Sequence, residues 1–283
     1  MTEADSVEQR FAHYLYGKAP AWALQQDPRF SSFSYIPRRL EGRATAVPLV
    51  VVVHGTLRQA ERYRNAFVDF AEEHGCAVLA PLFPCGIVEP HDIDNYKRIL
   101  YHDIRFDLVL LQMISELSAR YQLTFSDLYL HGFSGGGQFA HRFLLLHPDA
   151  LAAASIGAPG AVTLVDPERD WWVGTRDLRA RFGVDLDLEA LRRVPVLTVI
   201  GQDDSGHDEV FVPEGSRHWM PDANRAGDDR QERLVSLAEN LSSLGVSVTS
   251  VSVPGAAHRG MAMLPDVMAF FAREMERRER EGS

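Results

Sequence analysis

The chain has 283 residues, 46% of them hydrophobic and 24% charged, with a net charge of −10 from 29 Lys and Arg against 39 Asp and Glu. That length suits one large domain, or one domain with an insertion. The acidic balance argues against nucleic acid or an anionic membrane as partner, because both need clustered positive charge.

The opening run MTEADSVEQRFAHYLYGKAP contains acids and no apolar stretch, so no signal peptide is expected and a cytoplasmic location is the default. No apolar run is long enough for a membrane span. Residues 1 to 30 read as helical and peripheral, and Ser31 to Leu40 reads as an extended edge strand. PLVVVVHG, Pro48 to Gly55, is a β-branched run ending in glycine, the pattern of a strand buried on both faces. Gln59 to Glu73 then reads as helix, and Cys76 to Leu82 as a second buried strand stopped by Pro84 and Gly86. Cys76 and Cys85 are the two cysteines; a disulfide framework is excluded, and Cys76 reads as a buried small hydrophobe.

Asn95 to Tyr121 reads as one long helix, with Ile104, Leu108, Leu111 and Ile114 on its apolar face and Glu116 and Arg120 as an exposed pair. Further strands are expected at Asp127 to His131, Leu151 to Ile156, Val194 to Ile200 and Val246 to Val253. Helices are expected at Gln138 to Leu146, Arg230 to Leu244 and Leu264 to about Glu279. Basic residues from Arg273 to Arg280 alternate with glutamates and read as a solvated helix face. Strands alternating with helices define an α/β class with a mostly parallel sheet covered on both faces. Ligand sites in such sheets lie at the carboxyl ends of the strands.

Four segments at such ends carry chemistry. LYLHGFSGGGQFAHRF places Gly132-Phe133-Ser134-Gly135-Gly136 between a strand and a helix, where glycines on either side permit the tight turn that exposes a serine nucleophile. The bland alternative is a glycine-rich turn with a capping serine. In Val51-Val52-Val53-His54-Gly55-Thr56 the loop after the strand offers a backbone N–H at Thr56, with Leu57 next, to act with Gly135 as an oxyanion hole. His54 reads as a structural histidine fixing that loop. VPVLTVIGQDDSG supplies a carboxylate after a buried strand, Asp204 being favoured over Asp203. VSVPGAAHRG supplies His258 on a loop of small residues.

The chain order Ser134, Asp204, His258, with an elbow at the serine, resembles the α/β-hydrolase superfamily over about Pro48 to the C-terminus. Within it the chain resembles the small esterase branch that includes polyhydroxybutyrate-depolymerase-like and feruloyl-esterase-like proteins, differing in Gly135, where many relatives carry alanine. The resemblance implies a serine esterase that needs no cofactor and passes through an acyl-enzyme on a small-molecule ester. Amide hydrolysis by the same residues is the alternative, and a non-catalytic binder on the same fold the remote one. A homodimer is compatible with the sequence.

Residues 159–193 read as a cap insertion over the serine, with Trp171 and Trp172 either lining an apolar pocket or pinning the insertion to the core. The long loop from Ser205 to Asp229 reads as a pocket rim, with His218 and Trp219 as contacts. His207, Asp208 and Glu209 lack a recognisable ligand spacing, so no metal is expected. Leu57 and Phe133 complete the candidate pocket residues.

Overall fold

The structure is a computed structural model that describes residues 14–43, 45–206 and 210–281. Its strands are β1 (Gly17–Lys18), β2 (Trp22–Ala23), β3 (Ser31–Ile36), β4 (Val47–Val53) and β5 (Ala77–Leu82). A small hairpin of β6 (Leu100–Tyr101) and β7 (Ile104–Arg105) follows, then β8 (Phe125–Phe133), β9 (Leu151–Gly157), β10 (Val196–Gly201) and β11 (Val248–Val253). The main sheet runs β1-β3-β5-β4-β8-β9-β10-β11, with β2 also on β3. From β5 to β11 every pairing is parallel, while β3 joins β5 antiparallel. This is the mostly parallel α/β sheet expected.

β4 is central because its side chains tolerate no water: Leu49 to Val53 are all fully buried. Pro48 cannot donate to a ladder, and the β4–β8 register shifts there, between Val47 and Leu49. The sheet is flanked by α1 (Ala60–Ala66), α2 (Val68–His74), α3 (Phe106–Tyr121), α4 (Gly135–Leu146), α7 (Arg230–Ser243) and α8 (Gly260–Glu281). Two short helices, α5 (Leu178–Phe182) and α6 (Leu188–Arg192), lie between β9 and β10. Among the described residues no helix is long and apolar enough to cross a membrane. Of the segment expected to be helical, residues 1–13 lie outside the described residues, and residues 16–30 are not helical: β1 and β2 pair there with β3.

Several expectations are corrected. Ser31–Ile36 is not an edge strand; β5 pairs it on one side and β1 and β2 on the other. The helix expected over Gln59 to Glu73 divides at Phe67. The helix expected over Asn95 to Tyr121 is three pieces: a 3-10 turn (Asn95–Arg98), the β6–β7 hairpin and α3. Ile99 and His102 break it, with φ of 72° and 53°, values that no helix contains. The apolar face of α3 is also rotated from the one expected. Leu108 is 41% exposed, while Val109, Leu110, Met113 and Leu117 are buried. Asp107 turns inward instead, fully buried between Arg105 and His147. Glu116 and Arg120 do not pair. Glu116 accepts from the Gln25 N–H, and Arg120 stacks 4.2 Å from the centre of the Trp22 ring. The C-terminal basic run behaves as a solvated face, with Arg277 pairing to Glu274 and Glu281. Cys76 is buried, Cys85 is exposed, and both are free thiols.

Candidate active site

Ser134 stands at the end of β8, where the chain reverses into α4. Its φ of 58° and ψ of −115° lie outside the regions L-residues favour, so the turn is strained at this residue. The flanking glycines make the turn feasible. A Cβ on Gly132 would lie 2.0 Å from the Gly136 carbonyl oxygen, and one on Gly136 would lie 2.2 Å from that of Val53. Backbone bonds from Ser134 N to Gly157 O (2.8 Å) and from Gln138 N to Ser134 O (3.0 Å) hold the elbow between β9 and α4.

His258 follows β11 and Asp204 follows β10, so both reach Ser134 from neighbouring strand ends. Ser134 Oγ lies 2.9 Å from His258 Nε2, and His258 Nδ1 lies 2.6 Å from Asp204 Oδ2. With Nδ1–H donating to the carboxylate, Nε2 is free to accept from the serine hydroxyl. Asp204 is 2% exposed, and its other oxygen accepts from Arg230 Nη1 at 3.2 Å. Asp203 is exposed and makes no contact with His258; its backbone N–H donates to Ala256 O. Phe133 stacks on the imidazole with centroids 4.7 Å apart.

Thr56 begins the loop after β4. Its backbone N–H has no partner among the described residues. Gly135 is the first residue of α4, where N–H groups lack intrahelical acceptors by construction. The loop is held from below by groups the sequence did not flag. Arg58 donates to the carbonyls of Thr56 (2.6 Å), Phe83 (3.2 Å) and Ile93 (2.7 Å). Tyr96 donates to His54 O at 2.8 Å, and its hydroxyl would lie 2.5 Å from a Cβ on Gly135.

His54 is fully buried. Its Nδ1–H donates to Gly55 O and its Nε2 accepts from the Phe83 N–H, so it fixes the loop as a neutral ring. Burial pushes its pKa down to about 3, and that of the buried His131 to about 4. His141 is lowered by the same cause. The unfolded chain therefore binds these protons first. The stability they confer is complete above a pH of about 6.5 and drains as pH falls toward the folded values. His54 and His131 should each cost about 1–2 kcal/mol between pH 7 and pH 5. His131→Gln is expected to flatten the fall in urea midpoint between those pH values; an unchanged slope would assign the acid sensitivity elsewhere.

A cavity of about 1000 Å³ opens over Ser134 and His258. Of the expected pocket residues, Phe133 and the strongly exposed Leu57 line it. Trp171, Trp172 and Trp219 do not. Trp171 and Trp172 are buried in the core, where their indole N–H groups donate to Arg98 O and His218 O, both at 3.0 Å. Residues 159–193 thus brace the loops behind the site, and none of them lines the cavity. The described part of Ser205 to Asp229 does not line it either, although His218 Nε2 lies 3.9 Å from Asp94, which does. His207, Asp208 and Glu209 lie outside the described residues. Among the described residues no group of three or more His, Cys, Asp and Glu is arranged to hold a metal ion. The sequence reading missed Tyr63, Asp94, Lys97 and Arg230 as cavity residues. Lys97 is buried and ion-paired with Asp94; burial lowers its pKa against the pull of that carboxylate.

A parallel sheet with a strained serine elbow at the end of a central strand defines the α/β-hydrolase fold. Comparison with solved structures agrees. The chain superposes on LpqC, a poly(3-hydroxybutyrate) depolymerase from Bordetella parapertussis, with a TM-score of 0.72 and 25% identity over 98% of this chain and 99% of that one. Poly(aspartic acid) hydrolase-1 from Sphingomonas sp. KT-1 gives 0.67 at 20% identity, covering 85% and 92% of the two chains. An S-formylglutathione hydrolase from Agrobacterium tumefaciens gives 0.54 at 17% identity, covering 88% and 90%. No protein-family model and no curated protein sequence matches the chain.

Proposed function

We propose that the protein is a serine hydrolase that cleaves a carboxylic ester through an acyl-enzyme on Ser134. The observation that carries this reading is the hydrogen-bonded chain from Ser134 Oγ through His258 to the buried Asp204. His258 takes the hydroxyl proton as Oγ attacks the carbonyl carbon, then gives it to the leaving alcohol. Asp204 holds the ring with Nδ1 protonated and stabilises the imidazolium. The N–H groups of Thr56 and Gly135 receive the developing oxyanion. Water deprotonated by His258 then releases the acid and restores Ser134. The neighbours named above, a depolymerase and two hydrolases, support hydrolysis as the reaction type.

The test combines turnover with labelling. Wild-type protein should hydrolyse p-nitrophenyl esters in a series from acetate to decanoate, and the chain-length optimum measures the cavity. A fluorophosphonate should add once, at Ser134, as read by peptide mass spectrometry, and should stop turnover in proportion. Absence of ester turnover together with an unlabelled Ser134 would overturn the reading.

A further inference from the structure

The cavity over Ser134 carries more positive charge than its own carboxylates neutralise, in a chain whose net charge is −10. Four basic residues line it: Arg62, Lys97, Arg230 and Arg259. Lys97 is paired with Asp94, and Arg230 with Asp204. Arg62 and Arg259 have no carboxylate partner among the described residues. Arg62 reaches only Gln59 Oε1 at 3.4 Å, and Arg259 only Gly255 O at 3.1 Å.

The same cavity wall holds a third donor. Tyr63 follows Arg62 on α1, and Gly260 follows Arg259 at the start of α8. The Tyr63 hydroxyl rests against Gly260, so closely that a Cβ there would lie 2.1 Å from it. Tyr63 is only 5% exposed, lines the cavity, and its hydroxyl has no hydrogen-bond partner among the described residues. The oxygen is open to the cavity rather than sealed in the core, so an acceptor bound there can take its hydrogen bond. Burial raises its pKa to about 12, so it remains a neutral donor at physiological pH.

We propose that Arg62, Arg259 and Tyr63 form a carboxylate subsite, so that the substrate of Ser134 is an ester that also carries a free carboxylate. A guanidinium presents paired N–H donors that match the two oxygens of a carboxylate, and the phenol adds a third bond. Leu57, Ile93 and Met261 on the cavity wall provide the apolar surface for the chain between carboxylate and scissile carbonyl. This inference rests on the esterase reading, and its test separates the two.

The kinetic test compares p-nitrophenyl hexanoate with mono-p-nitrophenyl adipate, which share a six-carbon acyl chain and differ by one terminal carboxylate. Wild type should favour the adipate by about tenfold in kcat/KM at low salt, and the preference should shrink as added salt screens the pair. That ratio should collapse toward one in Arg62→Gln/Arg259→Gln and fall severalfold in Tyr63→Phe. Arg277→Gln, on the far end of α8, should keep the wild-type ratio. A wild-type ratio of one or less, or a preference that survives the double substitution, would overturn the subsite while leaving the esterase reading intact. A second measurement does not depend on turnover. Calorimetric titration of Ser134→Ala with monomethyl adipate should show tighter binding than with methyl hexanoate, and changing Arg62 and Arg259 to glutamine should weaken the adipate about tenfold, to the level of the hexanoate. Equal binding of the two esters would sink the proposal even if no ester is hydrolysed.

Discussion

Ser134→Ala is expected to lower kcat on p-nitrophenyl butyrate by on the order of 10⁶-fold, the loss seen when the nucleophile leaves a serine–histidine unit that works as one. Stability should hardly change. Alanine occupies the same backbone conformation as serine, and the only side-chain bond deleted is the one to His258. A melting temperature within a few degrees of wild type would show that the elbow survives. Retention of more than about 1% of wild-type kcat would place the nucleophile elsewhere. Residual turnover above the uncatalysed rate is expected, because the oxyanion donors and the cavity remain.

Asp204→Asn should cost about 10⁴-fold in kcat, and Asp203→Asn no more than a few-fold. The geometry explains why asparagine is so poor a substitute. Arg230 only donates, so it draws the amide oxygen to the position now held by Asp204 Oδ1. The amide NH₂ then faces His258 Nδ1, which must become an acceptor. The ring proton is driven to Nε2, and that nitrogen can no longer take the proton of Ser134. Asp203 has no route to this effect, since its side chain is exposed and away from the imidazole. Parallel kcat measurements on the two variants decide the matter; equal losses would mean the assignment of the acid is wrong.

What could be read from residues alone follows a physical division. β4, β5, β9 and β10 announce themselves because strands buried on both faces must be apolar throughout. The elbow is legible because close backbone approach at Gly132 and Gly136 demands glycine at fixed positions around the serine. His258 and Asp204 are legible because each directly follows a strand.

Beyond Leu57 and Phe133, the wall of the cavity is not legible. Arg62 and Tyr63 sit on an ordinary amphipathic helix, and Lys97 sits in a 3-10 turn that resembles the start of a longer helix. That turn ends at Ile99, whose positive φ is imposed by tertiary packing and carries no glycine to mark it. Trp171 and Trp172 stay ambiguous in the sequence for the opposite reason. Large aromatics suit a pocket wall and a core equally well, and only their indole bonds to Arg98 and His218 separate the two. The buried Asp107 likewise reversed the face of α3, because its partners Arg105 and His147 come from outside the helix and the second lies 40 residues away in sequence.

The spacing of the site along the chain has a temporal consequence. Ser134 and His258 are separated by 124 residues, and the histidine hangs from β11, the outermost strand on its side of the sheet. Synthesis proceeds from the N-terminus, so the elbow can assemble on β4, β8 and β9 well before His258 exists. A growing or half-folded chain therefore holds a strained but unactivated serine. Under the proposed mechanism, hydrolytic competence would switch on only when the last strand docks, and turnover would itself report complete folding.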